Sequence, residues 1–339
     1  MEINIALIGK GYVGSSFLQL LKEKKKLMND NFNLDIRIIA VFELDGALIN
    51  EGGIDLNNLS KHNKNFRELP DWKKEIKVKD YIAKLKLHFI IETTPTNAET
   101  GEPALSHIVE ALNNGIDVVS SNKGPFYLQY KKIHDLAREK SCFVKYEAAV
   151  ASCVPALSVK NSLIGNEITS IKAILNGTCN YILSRMTAEG IPFSTALKEA
   201  QELGIAESDP RLDIEGFDAG GKIVILANEL LGWSKTIKDV KIKGIANITP
   251  QAIELAKSDG LVIKHLAIAE DNEIIVEPRL IERSSPLNVS GTLNVIKLET
   301  ENAGPIILMG RGAGGLEAAS AILNDLINIA MKRGYTTIK

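Results

Sequence analysis

The sequence predicts an α/β protein of two domains, a doubly wound parallel sheet followed by an α+β domain with an open mixed sheet. A glycine-rich turn near the N-terminus joins a β-favouring run to a helical pattern. Strand-like and helical stretches then alternate to residue 146, and 339 residues exceed what one such sheet needs. We expect a first domain at 1–150, completed by a C-terminal helix at 311–339, and a second domain at 151–310.

Hydrophobic periodicity predicts the elements of the first domain in order. Strands are expected at 3–8, 36–42, 87–91, 116–120 and 143–146, with helices after Gly14 and at 103–113 and 127–140. The polar stretch 45–79 is expected to be a loop with one short helix. Such alternation favours a parallel sheet with helices on both faces.

The second half mixes helical patterns with longer β-favouring runs, which predicts a separate open sheet. Strands are expected at 168–175, 261–269, 273–280 and 304–309, and helices at 194–203, 217–231 and 316–333.

Composition points to a small-molecule partner. Forty Lys and Arg stand against 42 Asp and Glu, so the net charge of −2 favours neither nucleic acid nor an anionic membrane. The chain begins on a strand-like run, and no apolar stretch approaches the ~18 residues that a spanning helix needs. Three cysteines without C-x-x-C spacing favour a reducing compartment. We therefore expect a cytoplasmic protein.

Residues 9–14 form the pattern G-x-G-x-x-G between a strand and a helix. Backbone N–H groups and the positive helix end can hold a pyrophosphate there, as in Rossmann-type domains. A turn that only links strand to helix is the alternative, but the strand context and the alternation that follows favour dinucleotide binding.

Glu43 ends the second predicted strand, where a carboxylate accepts from the ribose 2′-OH and repels a 2′-phosphate. Residues 43–45 also contain no Arg or Lys. The sequence therefore favours NAD over NADP. A solvated surface Glu is the alternative, because Glu43 lies further beyond the glycines than is usual.

Asp218 and Lys222 stand four residues apart at a helix start, so their side chains share one face. The apolar run 223–227 predicts that this helix is buried, which favours a proton-donating lysine over an exposed ion pair. Nearby acids could bind a substrate ammonium. Lys123, after the strand at 116–120, could polarise a carbonyl or bind a carboxylate, with a solvated loop lysine as the alternative.

The cysteines and histidines suggest no competing chemistry. Cys153 and Cys179 lack a nearby histidine in sequence and are interpreted as packing residues, which disfavours a thioester-forming aldehyde dehydrogenase. The five histidines show no metal-ligand spacing.

Taken together, the motifs resemble the homoserine dehydrogenase family over essentially the whole chain. The matching segments are 9–14, 92–97, 99–103, 121–125, 146–150, 175–183, 204–222 and 310–314. The resemblance implies reversible reduction of L-aspartate 4-semialdehyde to L-homoserine with NADH or NADPH, in threonine, methionine and isoleucine biosynthesis. It also implies a homodimer joined through the second-domain sheet.

The resemblance further implies roles for individual residues. The catalytic residues would be Lys222, Asp218 and Lys123, and the substrate contacts Glu207, Asp213, Asp218 and Thr178. The cofactor contacts would be Gly9, Gly11, Tyr12, Val13, Gly14, Glu43, Thr94, Pro95, Asn122, Lys123, Gly204 and Gly314. Na⁺ or another cation at the hinge would be held by Glu147 and the backbone carbonyls of Val150, Ser152 and Val154. Residues 151–153 read Ala-Ser-Cys where the family usually has glycines, a change that carbonyl ligands tolerate.

Two other functions stay open at this point. One is a dehydrogenase for a different amino acid, such as aspartate itself. The other is a dinucleotide-sensing binding protein without catalysis, against which the Asp218 and Lys222 pair weighs.

Overall fold

The chain divides into two units, Met1–Ala149 with Gly314–Lys339, and Val150–Ala313. This computed structural model describes residues 1–62 and 65–336. Within these residues, each unit contains one sheet.

The sheet of the first unit has five parallel strands and an antiparallel edge. The parallel strands are β1 (Glu2–Ile8), β2 (Asp35–Glu43), β5 (Phe89–Glu92), β6 (Asp117–Ser120) and β7 (Val144–Lys145). The edge is formed by β3 (Gly46–Ile49) and β4 (Trp72–Lys74), which gives the order β4-β3-β2-β1-β5-β6-β7.

The prediction of a loop at 45–79 was wrong. The segment holds strands β3 and β4, helices α2 (Leu56–Lys61) and α3 (Val78–Tyr81), and a 3₁₀ turn at Phe66–Glu68. Strands of four and three residues are too short to show a periodic pattern, and Lys73 and Lys74 on β4 are exposed. Tertiary pairing with β2, rather than local sequence, forms this edge.

Helices α1 (Tyr12–Phe32), α4 (Ala104–Asn113), α5 (Gly124–Glu139) and α12 (Gly315–Lys332) complete the first unit, with a 3₁₀ turn at Ile82–Lys84. Phe17 and Leu21 of α1 share one core cluster with Ile322 and Leu326 of α12. The last helix therefore packs on the first one.

The sheet of the second unit is mixed, in the order β13-β12-β8-β10-β11-β9. Its strands are β8 (Ile168–Ile174), β9 (Val240–Ile242), β10 (Leu261–Glu270), β11 (Glu273–Glu282), β12 (Leu293–Thr300) and β13 (Ile306–Arg311). Only the pair β9 and β11 is parallel among its described pairings. A mixed sheet was predicted, although β9 and β12 were not.

The remaining helices are α6 (Ala148–Ala151), α7 (Gly177–Glu189), α8 (Phe193–Glu202), α9 (Arg211–Ile214), α10 (Phe217–Leu230) and α11 (Pro250–Ser258), with 3₁₀ turns at Ser158–Ser162 and Ile237–Asp239. Residues of α7, α8 and α11 pack with Ile263 of β10 in one core cluster. In the described part of the chain, no helix combines the length and apolarity that crossing a bilayer requires.

Candidate active site

Helix α10 holds the two residues predicted to carry the chemistry. Lys222 Nζ lies 2.8 Å from Asp218 Oδ2, one turn earlier, and the two side chains are only 12% and 9% exposed. Gly216 precedes the helix with φ +96°, and a Cβ there would lie 2.9 Å from Ile242 Cγ2. Most of the helix is buried, so the pair is not a solvated surface contact.

A backbone oxygen holds the same ammonium from a second direction. Lys222 Nζ donates to Leu175 O at 2.9 Å, just beyond the end of β8. A lysine ammonium has three N–H donors, and within the described residues Asp218 and Leu175 engage two of them. One donor remains for another group.

Asn176 connects two of the predicted carboxylates. It caps α7, accepting from Cys179 N at 2.8 Å, while its Nδ2 donates to Asp213 Oδ1 at 2.6 Å and to Asp218 Oδ2 at 3.0 Å. The cap fixes the side chain, and the side chain then fixes the carboxylates. Asp213, Asp218 and Lys222 thus form one cluster around Asn176.

The other predicted residues of this unit lie on neighbouring segments. Thr178 Oγ1 donates to Ile205 O at 3.1 Å, which ties the start of α7 to the loop after α8. Gly204 in that loop has φ +68° and is exposed. Glu207 is also exposed, and its backbone carbonyl accepts from Gln201 Nε2 at 3.1 Å.

Cys153 and Cys179, both interpreted from the sequence as packing residues, differ in their exposure. Cys179 is fully buried, and burial, followed by the charges of Asp213 and Asp218, raises the pKa of its thiol. It is a packing residue, as predicted, and no thiolate nucleophile. Cys153 is exposed, so its interpretation as a packing residue was wrong.

The glycine turn of the first unit has the close backbone approaches that its pattern predicts. Gly9 has φ +88°, and a Cβ at Gly14 would lie 2.2 Å from Gly9 O, so neither position suits a side chain. A Cβ at Gly11 would meet nothing within 4 Å. Helix α1 starts at the next residue, Tyr12, followed by Val13. The open side of Gly11 and the helix end together fit a pyrophosphate.

Glu43 lies beside this turn, because its Oε1 accepts from Lys10 N. The sequence did not suggest Arg67, whose Nη2 lies 4.0 Å from Glu43 Oε2. Its Nε donates to Asp45 Oδ2 at 2.7 Å, and its Nη2 donates to Asp45 Oδ1 at 3.0 Å. Its hydrogen bond holds the pKa of Asp45 below the usual value. Residues 43–45 include no Arg or Lys, but the fold places the guanidinium of Arg67 beside Glu43 and Asp45.

Asn122 joins the ends of β5 and β6. Its Nδ2 donates to Thr94 O at 3.0 Å and to Pro95 O at 3.2 Å, while its Oδ1 accepts from Gly124 N at 3.0 Å. Lys123 is the residue before α5. Four predicted cofactor contacts therefore lie at one edge of the sheet, where parallel strands end.

The start of α12 lies against the start of α1. A Cβ at Gly315 would lie 2.7 Å from Tyr12 Cε1, and Gly314 precedes it with φ +137°. Gly314 is thus close to the glycine turn, as the predicted cofactor contact requires.

The predicted cation ligands begin at a buried acid. Glu147 is 7% exposed, and its backbone N–H donates to Asp325 Oδ2 at 2.9 Å. Burial raises the pKa of Asp325 to about 7; Lys145 opposes this, and the charge of Glu147 adds to it. Ser152 has a left-handed backbone, φ +55°, and Val154 O accepts from Ala156 N at 2.6 Å. Val150 is 1% exposed. Residues 1–62 and 65–336 contain no group of three or more His, Cys, Asp or Glu side chains suited to a metal.

Two family models match the chain. Residues 155–327 match the homoserine dehydrogenase model, and residues 9–147 match the NAD-binding domain of homoserine dehydrogenase. The chain belongs to the homoserine dehydrogenase family. The resemblance found in the sequence is thereby confirmed, as is an NAD(P)-dependent oxidoreductase with a dinucleotide-binding domain and a catalytic domain.

Similar proteins agree over nearly the full length. Homoserine dehydrogenase of Methanocaldococcus jannaschii is 45% identical over 96% of this chain and 98% of its own. The NAD(+)-dependent homoserine dehydrogenase of Pseudomonas canavaninivorans is 36% identical, over 97% and 96%. A crystal structure from Archaeoglobus fulgidus assigned to homoserine dehydrogenase has TM-score 0.89 and 36% identity, over 96% and 99%. A hyperthermophilic archaeal homoserine dehydrogenase in complex with NADPH has TM-score 0.85 and 27% identity, over 98% of each chain.

Sequence reasoning assigned no role to Asn176, to Arg67, or to Asn294, whose Nδ2 donates to Leu175 O at 3.1 Å. Asn176 had a usable signal, because an Asn directly before Gly-Thr at a helix start is a typical N-cap. Arg67 and Asn294 had none. Each reaches its partner only through tertiary folding.

Proposed function

We propose that this member of the homoserine dehydrogenase family reduces the aldehyde of L-aspartate 4-semialdehyde to the alcohol of L-homoserine, with Lys222 as the proton donor. The nicotinamide, when bound, supplies the hydride to the aldehyde carbon. The observation that carries the proposal is that the Lys222 ammonium, on a side chain only 12% exposed, is held by Asp218 and by Leu175 O, which engage two of its three N–H donors. In the reverse direction, the amine takes the proton from the alcohol.

Lys222 suits this step for electrostatic reasons. Asp218 at 2.8 Å stabilises the positive charge, and the low exposure of both side chains strengthens their interaction. A donor that is already oriented costs little reorganisation when the oxygen becomes negative.

Asp213, Asp218 and Glu207 are proposed to hold the substrate ammonium. Two of these carboxylates are fixed by Asn176, and the third lies on the exposed loop after α8. Thr178 keeps that loop against α7. Lys123 is proposed to hold the negative end of the substrate, as a cation at the carboxyl edge of the sheet.

NAD is proposed as the preferred cofactor. The residues present fit a dinucleotide, since Gly11 is open, Gly9 and Gly14 have no room for side chains, and the start of α1 faces the turn. Glu43 beside Lys10 N supports a contact to the ribose 2′-OH. Arg67 forms its hydrogen bonds with the Asp45 carboxylate.

A cation such as Na⁺ is proposed at Glu147, with the backbone carbonyls of Val150, Ser152 and Val154 as its other ligands. The burial of Glu147 supports this proposal, because a carboxylate that is removed from water is stabilised by a bound cation. Oxygen ligands of this kind suit a hard cation.

A homodimer is proposed through the sheet of the second unit. Ile307 and Met309 on β13 are 38% and 60% exposed, and Met309 pairs with Val295 of β12. Exposed apolar side chains on a sheet face are typical of an interface. Light scattering should then give twice the chain mass of 36.9 kDa, and Met309→Glu should give the monomer. A cytoplasmic location remains a prediction that rests on the cysteine content.

The deciding experiment is a steady-state assay of aspartate semialdehyde reduction with NADH and with NADPH. Each is run in NaCl and in choline chloride of equal ionic strength. We expect turnover with both cofactors, a higher kcat/KM with NADH, and an increase with sodium. Turnover on aspartate but not on the semialdehyde would show a different amino-acid dehydrogenase. Cofactor binding without turnover on any substrate would show a binding protein.

A further inference from the structure

Asn294 shares an acceptor with Lys222. The residue lies on β12 and is 1% exposed, and its Nδ2 donates to Leu175 O at 3.1 Å. The same oxygen accepts from Lys222 Nζ at 2.9 Å. A backbone carbonyl has two lone pairs, so both donors can bind it at once.

The strand pairing explains why this carbonyl depends on a side chain. The register of β8 with β12 ends at Ile174 and Val295. Leu175 is the next residue, where the chain turns towards the cap of α7. Beyond the ladder, the amide of Asn294 supplies to Leu175 O the hydrogen bond that holds it.

The amide is also tightly enclosed. A Cβ at Gly312 would lie 2.1 Å from Asn294 Cγ and Nδ2, so only glycine fits there. Asn294 Oδ1 is buried and has no hydrogen-bond partner within the described residues. A buried oxygen without a hydrogen-bond partner lowers the stability of the fold. Leucine has the same number of side-chain heavy atoms and would avoid that cost, so packing alone does not explain the amide.

We infer that Asn294 is a positioning residue for the proton donor: it holds Leu175 O, which holds the Lys222 ammonium towards the reacting oxygen. The inference rests on the proposed role of Lys222. Asn294 acts through Leu175, and we propose no contact between Asn294 and the substrate or the cofactor. It should therefore affect kcat and leave the KM for NADH unchanged.

The test compares Asn294→Leu with Asn228→Leu. Asn228 is a matched control, a 2% exposed amide near the other end of α10 that bonds the backbone of Lys235. We expect Asn294→Leu to lower kcat about tenfold with the KM for NADH within twofold, since small misplacements of catalytic groups are costly. Asn228→Leu should lower the melting temperature but leave kcat within twofold. If Asn294→Leu does not fold, Asn294→Ala gives the same comparison without added bulk.

A double-mutant cycle separates positioning from general stability. In a Lys222→Ala background, Asn294→Leu should cause no further loss of single-turnover rate. An equal loss in both backgrounds, or a wild-type kcat in Asn294→Leu, would overturn the inference. If Lys222→Ala itself retained the wild-type rate, the proposed function would fail instead.

Discussion

Lys222 Nζ lies 2.8 Å from Asp218 Oδ2 on one face of a mostly buried helix, and Leu175 O holds the same nitrogen from the end of a strand. This arrangement fixes the direction of two N–H bonds before any substrate arrives. Because two N–H bonds are fixed, the direction of the third is fixed as well, and the ammonium need not reorient when the substrate binds. Lys222 is in this sense a preorganised proton donor.

Replacing Asp218 by Asn should reduce turnover more than cofactor binding. The amide would keep an oxygen acceptor but lose the charge that stabilises the ammonium. We expect kcat to fall by about 10- to 100-fold while the KM for NADH stays within twofold. Steady-state kinetics measures both. Asp209→Asn, in the exposed pair with Arg211, should change neither value by more than twofold.

Replacing Asn176 by Asp should disturb the carboxylate cluster without losing the helix cap. Asp accepts from Cys179 N as Asn does, but it cannot donate to Asp213 and Asp218. Three neighbouring carboxylates repel, so the melting temperature should fall by several degrees at pH 8 and less at pH 5. The kcat/KM for the semialdehyde should fall at least tenfold. The exposed control Asn161→Asp should alter neither; equal behaviour of the two variants would contradict the bridging role.

Replacing Glu43 by Gln should weaken the preference for NAD. Gln keeps the acceptor for Lys10 N but removes the charge that repels a 2′-phosphate. We expect the ratio of kcat/KM for NADH to kcat/KM for NADPH to fall about tenfold. Glu51→Gln, an exposed residue after β3, is the control. An unchanged ratio in Glu43→Gln would mean that this carboxylate does not contact the ribose.

Lys264 predicts a pH dependence of stability. The residue is 4% exposed, and its Nζ donates to Asn180 Oδ1 at 3.1 Å and to Val289 O at 2.5 Å. Burial lowers the pKa of Lys264 from 10.5 to about 8. Between about pH 8 and 10.5 the unfolded chain binds more protons at this residue, so its contribution to the free energy of unfolding rises with pH. The full effect is about 3 kcal/mol.

Denaturant unfolding at pH 7.5 and 9.5 measures this dependence. The increase in the free energy of unfolding between these two pH values should disappear in Lys264→Met, because Met has a side chain of similar length but no charge. It should persist in Lys238→Met, at an exposed position. An equal slope in Lys264→Met and wild type would assign the pH dependence to other groups.

The parts of the fold set by local pattern were predictable. The glycine turn and strands β1, β2, β5 and β6 follow from periodicity and from the glycine positions. Asp218 and Lys222 could be paired because residues four apart on a helix share a face.

The contacts made across the chain were not predictable. Asn294 reaches Leu175 O over 119 residues, and no local pattern encodes that distance. Arg67 reaches Asp45 only because β3 and β4 form an edge too short to recognise in the sequence. Local propensity cannot specify such pairings, since they depend on the assembled sheet.

The most direct test of the proton-donor role is the single-turnover rate of NADH oxidation in Lys222→Ala with aspartate semialdehyde. Lys198→Ala, at a position whose side chain is 77% exposed, is the control. We predict a rate lower than wild type by ~10² or more in Lys222→Ala, with NADH affinity retained, and no change in the control. A wild-type rate in Lys222→Ala would contradict the proton-donor role.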